Sequence, residues 1–498
     1  MIYFVNQYLL ELNTSIEHTE VKRINLFKQM KIPAKIVTRD FNTMMAENIK
    51  SLGLDNDQVL NMYDYFRDTI NIPVRVTKNC DLDISKEYDI NPGANISRVV
   101  KGAQLIMNIH HVPGTFGHTY FIEYFDYLGN LVKKRDYDSR GFMARDQFFA
   151  ADGLLIYERH YDKNGDVKIE NYFDDQAIVI RTILYDYKDE TYYFENEMEL
   201  ASFFLDELNR QNDLKATFIG DRPTISYDMI MGMQTRGKNI LYMPNPHTID
   251  DNDGVYADMS GLYANAIYQH PNQWNSIIVA TAKQKNDLTK WYGGKSPIPI
   301  EVISPSVQVE SEQDTILDKN TAHQENKVIY TGKLDAKNNV VELVEAFDKV
   351  VTILPNATLD IYGYGTEYDA IKTKIDELKL SNSVRLLGYH SDLTSAYQSA
   401  ELLVYTGNVD VEPLCLIEAM SYSVPCVAYN SLYGIQDIIK DGENGFVVDK
   451  HRIDELASTI IKTLENKKRL HKMSQNAYHT AKTYAPENMI QKWQQVLN

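Results

Sequence analysis

Cysteine and tryptophan are scarce in this chain of 498 residues, with three of each. Cys80, Cys415 and Cys426 are too few for a disulfide framework and have no metal-ligand spacing. Disulfide scaffolds and cysteine-built metal sites are thereby excluded, and the three thiols read as inert. Long apolar runs are also missing. No stretch of about 18 apolar residues occurs, so no membrane-spanning helix is expected. The opening MIYFVNQYLL lacks a cationic lead and its apolar run breaks at Asn6 and Gln7. It reads as a first strand rather than a signal peptide, which predicts a cytoplasmic protein. Positive charge is in the minority, 51 Lys+Arg against 69 Asp+Glu, for a formal net charge of -18. Nucleic-acid binders and polybasic membrane-surface proteins need a dominant cationic face, so neither description fits, and membrane association is at most peripheral.

What is present is globular: 44% hydrophobic, 24% charged and 11% aromatic. At roughly 150 residues per domain the length predicts about three domains. Ile2–Val5 reads as a strand, residues 16–30 as an amphipathic helix with Thr14 and Ser15 as candidate N-caps, and Ala34–Val37 as a second strand. Strand–helix–strand of this length is a βαβ unit, the seed of a parallel sheet.

From residue 129 the pattern changes. Glycines recur at 129, 141, 153 and 165, a twelve-residue spacing, between segments rich in Tyr, Phe, Val and Ile. Asn and Asp beside three of these glycines favour tight primed turns, so the spacing predicts an antiparallel meander. Its exposed faces would scaffold, or dock a partner or polymer acceptor. Residues 196–305 return to α/β patterning, 306–326 read as a polar linker, and a second α/β domain follows from Lys327. The expected organisation is a Rossmann-like domain from 1–75 and 196–305 and a β-meander over 76–195. A second Rossmann-like domain covers 306–485, and a C-terminal helix in 486–498 packs back on the first domain. The fold class is α/β, with two such domains facing a cleft.

Two stretches carry chemistry. Gly363 and Gly365 follow a strand in IYGYGTE, where glycine lets backbone approach a phosphate or another loop. In YTGNVDVEPLCLIEAM a strand end leads through a polar loop to a helix starting near Pro413. That places Glu418 about one and a half turns inside the helix, with Asp410 and Glu412 at its mouth. Ligands of open α/β sheets bind beyond the carboxyl ends of strands, which is where this loop falls.

The order IYGYG, LLGYHSDL, LLVYTG, EPLCLIEAM, SVPCVAY and DGENGFVV resembles the nucleotide-sugar half of GT-B glycosyltransferases of the retaining family 4 type. The opening YFVNQYLLELNTSIEHTEVKRINLFKQM, DNDQVLNMYDYF, YDSRGF and FFLDEL narrow the resemblance. They are similar to bacterial protein O-glycosyltransferases that modify serine-rich or Ser-Asp-repeat adhesins, and to their wall-teichoic-acid glycosylating relatives.

That resemblance implies a UDP-sugar donor, no metal and no other cofactor. It places Lys333 where an Arg, and Asn338 where a Lys, would neutralise the diphosphate, with Lys337 one residue off register. Asp410 and Glu418 become the carboxylate pair for sugar and ribose, and Glu412 a further candidate for the sugar. The glycine turn between the pair is replaced by Val-Glu-Pro-Leu. The glycine-rich loop after the first strand is replaced by Leu12-Asn13-Thr14-Ser15-Ile16. Of a histidine pair near the reacting sugar, Pro244 takes the first place and His247 remains. Transfer without a metal depends on preorganised groups around developing charge, so these departures predict weak or absent catalysis. The implied function is a GT-B subunit that stabilises an active homologous transferase and helps bind a Ser/Thr-rich acceptor. The alternative is an active retaining transferase moving glucose or N-acetylglucosamine to Ser/Thr, or less readily to teichoic acid. The implied partner is a homologous subunit, in a hetero- or homo-oligomer.

Overall fold

A computed structural model of the chain describes residues 1–115, 117–309, 324–407 and 411–497. The chain forms two compact units, 1–11 with 34–238, and 12–33 with 239–498. No helix among the described residues is long and apolar enough to cross a membrane.

The first unit opens with strands β1 (Ile2–Asn6), β2 (Ala34–Thr38) and β3 (Val59–Asn61). Ten antiparallel strands then run from β4 (Asp89–Asn91) to β13 (Glu190–Phe194), in sequence order across their sheet. After the helix Glu197–Arg210, β14 (Thr217–Gly220) pairs in parallel with β1, setting Ile2 opposite Thr217, while β2 lies on the other side with Ala34 opposite Ile2. Every residue of β1 is buried, the pattern of a parallel strand covered on both faces.

The twelve-residue spacing does produce hairpins, but not two-residue primed ones. Each loop is a five-residue turn, 126–130, 138–142, 150–154 and 162–166, and its glycine sits at positive φ, between 85° and 92°. The glycine N–H closes the turn onto the carbonyl three residues back, as from Gly129 to Asp126 at 3.1 Å and from Gly141 to Asp138 at 2.8 Å. Aspartate side chains take over further turn N–H groups. Asp126 Oδ1 accepts from Leu128 and Asn130, and Asp162 Oδ1 from Asn164 and Asp166. That added bonding favours the longer loop over the primed one. The series continues one step further than glycine does: Ala177 takes the same place in the loop 174–178, with φ 59°.

One face of the meander packs on the parallel part of the same unit. His160 is fully buried against Phe41 and Tyr63, and Asn171 donates to Tyr63 Oη at 3.1 Å.

The second unit contains helix α1 (Ser15–Gln29) and the parallel strands β15 (Lys238–Met243), β16 (Ser276–Val279) and β17 (Ile300–Val302). Six further parallel strands follow: β18 (Lys327–Thr331), β19 (Thr358–Tyr362), β20 (Val384–Gly388), β21 (Leu402–Tyr405), β22 (Cys426–Tyr429) and β23 (Gly445–Val448). Their order, 20-19-18-21-22-23, reverses between β18 and β21, and a doubly wound sheet binds ligands at such a switch point. Val328, Leu359, Leu402 and Val427 form one side of the core with Phe347, and Ile329, Leu403, Cys426 and Ala428 form the other with Ile417. The last helix, α6 (Pro486–Leu497), sets Trp493 edge-on to Phe27 of α1, with ring centroids 5.2 Å apart. Among the helices between α1 and α6 are α2 (Val340–Ile353), α3 (Thr394–Ser399), α4 (Leu414–Ser421) and α5 (Lys467–Lys482).

Candidate functional site

Apart from His247, the described site candidates fall at the carboxyl ends of β18, β19 and β21 and on α4, with α1 beside them in the same unit. Pro413 forms the N-cap of α4, in an extended conformation with φ -62° and ψ 107°. The helix begins one residue later and carries Glu418 in its second turn. Lys22 Nζ of α1 lies 2.8 Å from Glu418 Oε1, and Tyr397 of α3 donates its hydroxyl to Oε2 at 2.9 Å. Burial opposes ionisation of Glu418, but Lys22 and Tyr397 outweigh it and hold the carboxyl below its ordinary range. The same pairing raises Lys22. One turn before Lys22, His18 stacks on Tyr389 at 6.2 Å and meets its hydroxyl at 3.3 Å through Nε2. Burial lowers His18, against the pull of Glu418.

The loop after β18 holds the diphosphate candidates. Lys333 is exposed and pairs with Asp335 at 3.3 Å. Lys337 is exposed and forms no ion pair among the described residues. Asn338 is buried, and its side-chain amide donates to Asp335 Oδ1 at 2.7 Å while its carbonyl accepts from Thr406 Oγ1 at 2.6 Å. Its side chain thus serves its own loop.

Gly363 and Gly365 support that loop rather than an open cradle. A Cβ on Gly363 would meet the Gly332 carbonyl oxygen at 1.8 Å, and one on Gly365 the Leu334 carbonyl oxygen at 2.1 Å. The Gly332 and Leu334 N–H groups bond to the Tyr362 and Tyr364 carbonyls at 3.0 and 2.7 Å. Of the two uses open to a glycine pair, this one lets two loops touch.

Asp410 lies outside the described residues. Glu412 is buried and lines a small cavity with Ser15 and Thr19 of α1, Tyr242, Pro244, Ala280, Pro305 and Leu414. Its Oε2 has no hydrogen-bond partner among the described residues. Burial pushes its carboxyl up to about 8, although the Ser304 and Tyr484 hydroxyls pull the other way. It is therefore largely protonated near neutral pH.

His247, in the loop after β15, is fully buried beside Tyr433, with ring centroids 6.1 Å apart. Its Nε2 lies 2.9 Å from the Gly254 carbonyl oxygen. A carbonyl only accepts, so Nε2 carries the proton and Nδ1, which has no partner among the described residues, presents a lone pair. Burial lowers this imidazole to about 4, keeping it neutral.

At the start of α1, where the resemblance leads one to look for a glycine-rich loop, Glu17 folds back. Its Oε2 accepts from the Thr14 N–H at 2.9 Å and from the Thr14 hydroxyl at 2.7 Å. This capping box puts the chain's own carboxylate at the helix terminus.

The structure thus joins Glu412 to Pro244 around one cavity, and Lys333 to Asn338 through Asp335. Glu418 is joined to two residues the sequence reading did not single out, Lys22 and Tyr397. The only sequence signal for α1's part is the four-residue spacing of His18 and Lys22, which puts both on one helix face.

Residues 312–480 match the family model "Glycosyl transferases group 1". A poly(glycerol-phosphate) alpha-glucosyltransferase of Bacillus subtilis is 28% identical over 304 residues, which are 61% of this chain and 44% of that protein. The UDP-N-acetylglucosamine–peptide N-acetylglucosaminyltransferase GtfA subunit of Streptococcus gordonii is 24% identical over 100% of this chain and 98% of its own. Among solved structures, a TarM mutant of S. aureus in complex with Fondaparinux, alpha-GlcNAc-glycerol and UDP superposes with a TM-score of 0.85 at 22% identity, covering 100% of this chain and 99% of that one. A GtfA/B complex gives 0.78 at 22% identity, covering 100% and 98%. The chain has the GT-B fold, two Rossmann-like domains with an inserted antiparallel ten-stranded sheet, and its 312–480 region is similar to the glycosyl transferases of group 1.

Proposed function

We propose that this chain is a cytoplasmic GT-B subunit of a bacterial protein O-glycosylation complex. It binds a UDP-sugar, turns it over weakly on its own, and works with a homologous transferase on a Ser/Thr-rich acceptor. The observation that carries the reading is the unequal state of the two halves of the donor site. Glu418 is held ionised by Lys22 and Tyr397, a fit acceptor for a ribose diol. Asn338, at the expected position of a diphosphate cation, is neutral and bonded into its own loop. Lys333 and Lys337 remain as exposed cations for the phosphates, and Lys333 is already paired with Asp335. Removing one preorganised donor at developing charge typically lowers rate by about 10²–10³. The full-length likeness to a GtfA subunit and the fold likeness to a GtfA/B complex support the assignment to protein glycosylation with a partner.

The second reading is an autonomous retaining transferase. It is favoured by the same full-length likeness to a protein whose name states the activity. Glu412 or Asp410 would then meet the sugar, and His247 would offer Nδ1 to a hydroxyl.

The deciding experiment is turnover of UDP-N-acetylglucosamine and UDP-glucose on a Ser-rich peptide, by the purified chain and by the chain co-purified with a homologous subunit. Turnover that rises steeply on co-purification is expected. Full turnover by the chain alone would establish the second reading, and failure of the wild-type chain to bind UDP would overturn both.

A further inference from the structure

Resting on that donor-binding reading, the geometry points to Lys22 as a positioning residue of the nucleotide site, acting through Glu418. α1 contributes a polar face there: His18 and Lys22 are one turn apart, the first against Tyr389 in the loop after β20, the second against Glu418 of α4.

The physical argument runs through the carboxylate. An ionised carboxyl has about four acceptor sites on two oxygens. Among the described residues Lys22 occupies one on Oε1 and Tyr397 one on Oε2, which fixes the plane of the group and leaves one site on each oxygen. Two acceptors in fixed directions match the two hydroxyls of a cis-diol. The Lys22 and Glu418 side chains keep 32% and 22% of their exposure, so a ligand can reach them without breaking the pair.

Charge gives the second half. A nucleoside diphosphate brings negative charge to a site that already holds an anionic Glu418, in a chain of net charge -18. Lys22 cancels the Glu418 charge where it arises, leaving Lys333 and Lys337 for the phosphates. Removing one partner of a partly buried pair leaves the other without its compensating charge. Without Lys22 the carboxyl would lose its orientation, and burial would favour its protonated form.

The test is calorimetric titration of the full chain with UDP and with 2′-deoxy-UDP. The variants are Lys22→Met, Lys22→Gln, Lys22→Arg, Glu418→Ala and the double variant Lys22→Met/Glu418→Ala. Wild type is expected to prefer UDP. Lys22→Met and Lys22→Gln should weaken UDP binding about tenfold or more, as loss of a charge-assisted contact does. They should also lose the preference over 2′-deoxy-UDP, a readout that a merely structural lysine would not move. Lys22→Arg should restore most of both. The double variant should bind no worse than Glu418→Ala alone, since the two residues act as one unit. UDP binding by wild type with unchanged or tighter binding by Lys22→Met would overturn the inference, tighter binding meaning that Lys22 occludes the site. No UDP binding by wild type would instead overturn the donor-binding reading beneath it.

Discussion

Arg140 Nη2 donates to Asp64 Oδ1 at 2.9 Å, joining residues 76 positions apart, and both side chains are buried. The bond ties the turn YDSRGF of the meander to the segment after β3. Asp64 also accepts from Arg67 Nη2 at 2.8 Å and Thr69 Oγ1 at 2.8 Å, and Arg140 also pairs with Asp138 at 2.7 Å. Two arginines and two carboxylates saturate one another where the meander meets the parallel strands. Removing one member strands a buried charge, which costs about 3–5 kcal/mol. Arg140→Met should lower the denaturation midpoint accordingly in chemical unfolding. The same cluster sets an acid limit. Burial favours the neutral Asp64 carboxyl, but Arg140 and Arg67 outweigh it and depress it below its ordinary value of 3.8. Its stabilisation is therefore complete above pH of about 4 and is lost as pH falls through the depressed value. Asp64→Asn should flatten that acid limb.

Ala177 occupies the hairpin place that glycine holds in the four preceding loops, at φ 59°. A left-handed conformation costs an L-residue about 1–2 kcal/mol, of which glycine's extra unfolded-state freedom offsets about 0.5–1. Ala177→Gly should therefore stabilise the chain by up to about 1 kcal/mol, visible as a raised thermal midpoint. An unchanged or lower midpoint would show that the loop relaxes instead.

Much of the architecture was legible because the code for it is local. Val328–Gly332, Thr358–Gly363 and Leu402–Gly407 are short apolar runs ending in glycine, and each became a parallel strand in a buried sheet. The twelve-residue glycine spacing gave the meander, but its turn type escaped, because Asp126 and Asp162 act through side-chain bonds within the loop. The candidate site was less readable. Motif positions located Glu418, but its partner is 396 residues earlier, on a helix whose polar face looks like any solvated one. The resemblance puts Asn338 at a cation position, and only the folded loop shows its side chain bonded to Asp335 and its carbonyl to Thr406. Long-range pairing of polar groups leaves no periodic trace in sequence.

Of Gly363 and Gly365, Gly363 makes the closer contact with the loop after β18, and any side chain there must displace the backbone of Gly332. Gly363→Ala should cost about 1–3 kcal/mol, the range for overpacking a tight contact. Because Gly332 leads directly to Lys333, the same change should weaken UDP binding more than it weakens binding of uridine, which lacks phosphates. Calorimetry with both ligands checks this. Equal losses for the two would place the effect away from the phosphates.

Glu412 is a different kind of liability, a buried acid whose folded form prefers to stay protonated. Burial raises it to about 8 from an ordinary 4.5, with Asp437 raising it further and Lys492 and the hydroxyls of Ser304 and Tyr484 opposing. A group raised in the folded state binds its proton more tightly there than in the unfolded chain. Its contribution is fully present below pH of about 4.5 and is lost as pH rises through about 8. Glu412→Gln keeps the shape and a donor but cannot ionise. The variant should gain on wild type as pH rises from about 4.5 and hold that advantage above about 8. Thermal midpoints of the two proteins across that range check the sign. Curves that stay parallel from acid to alkaline pH would mean that Glu412 is already ionised at neutral pH, with a partner satisfying its second oxygen.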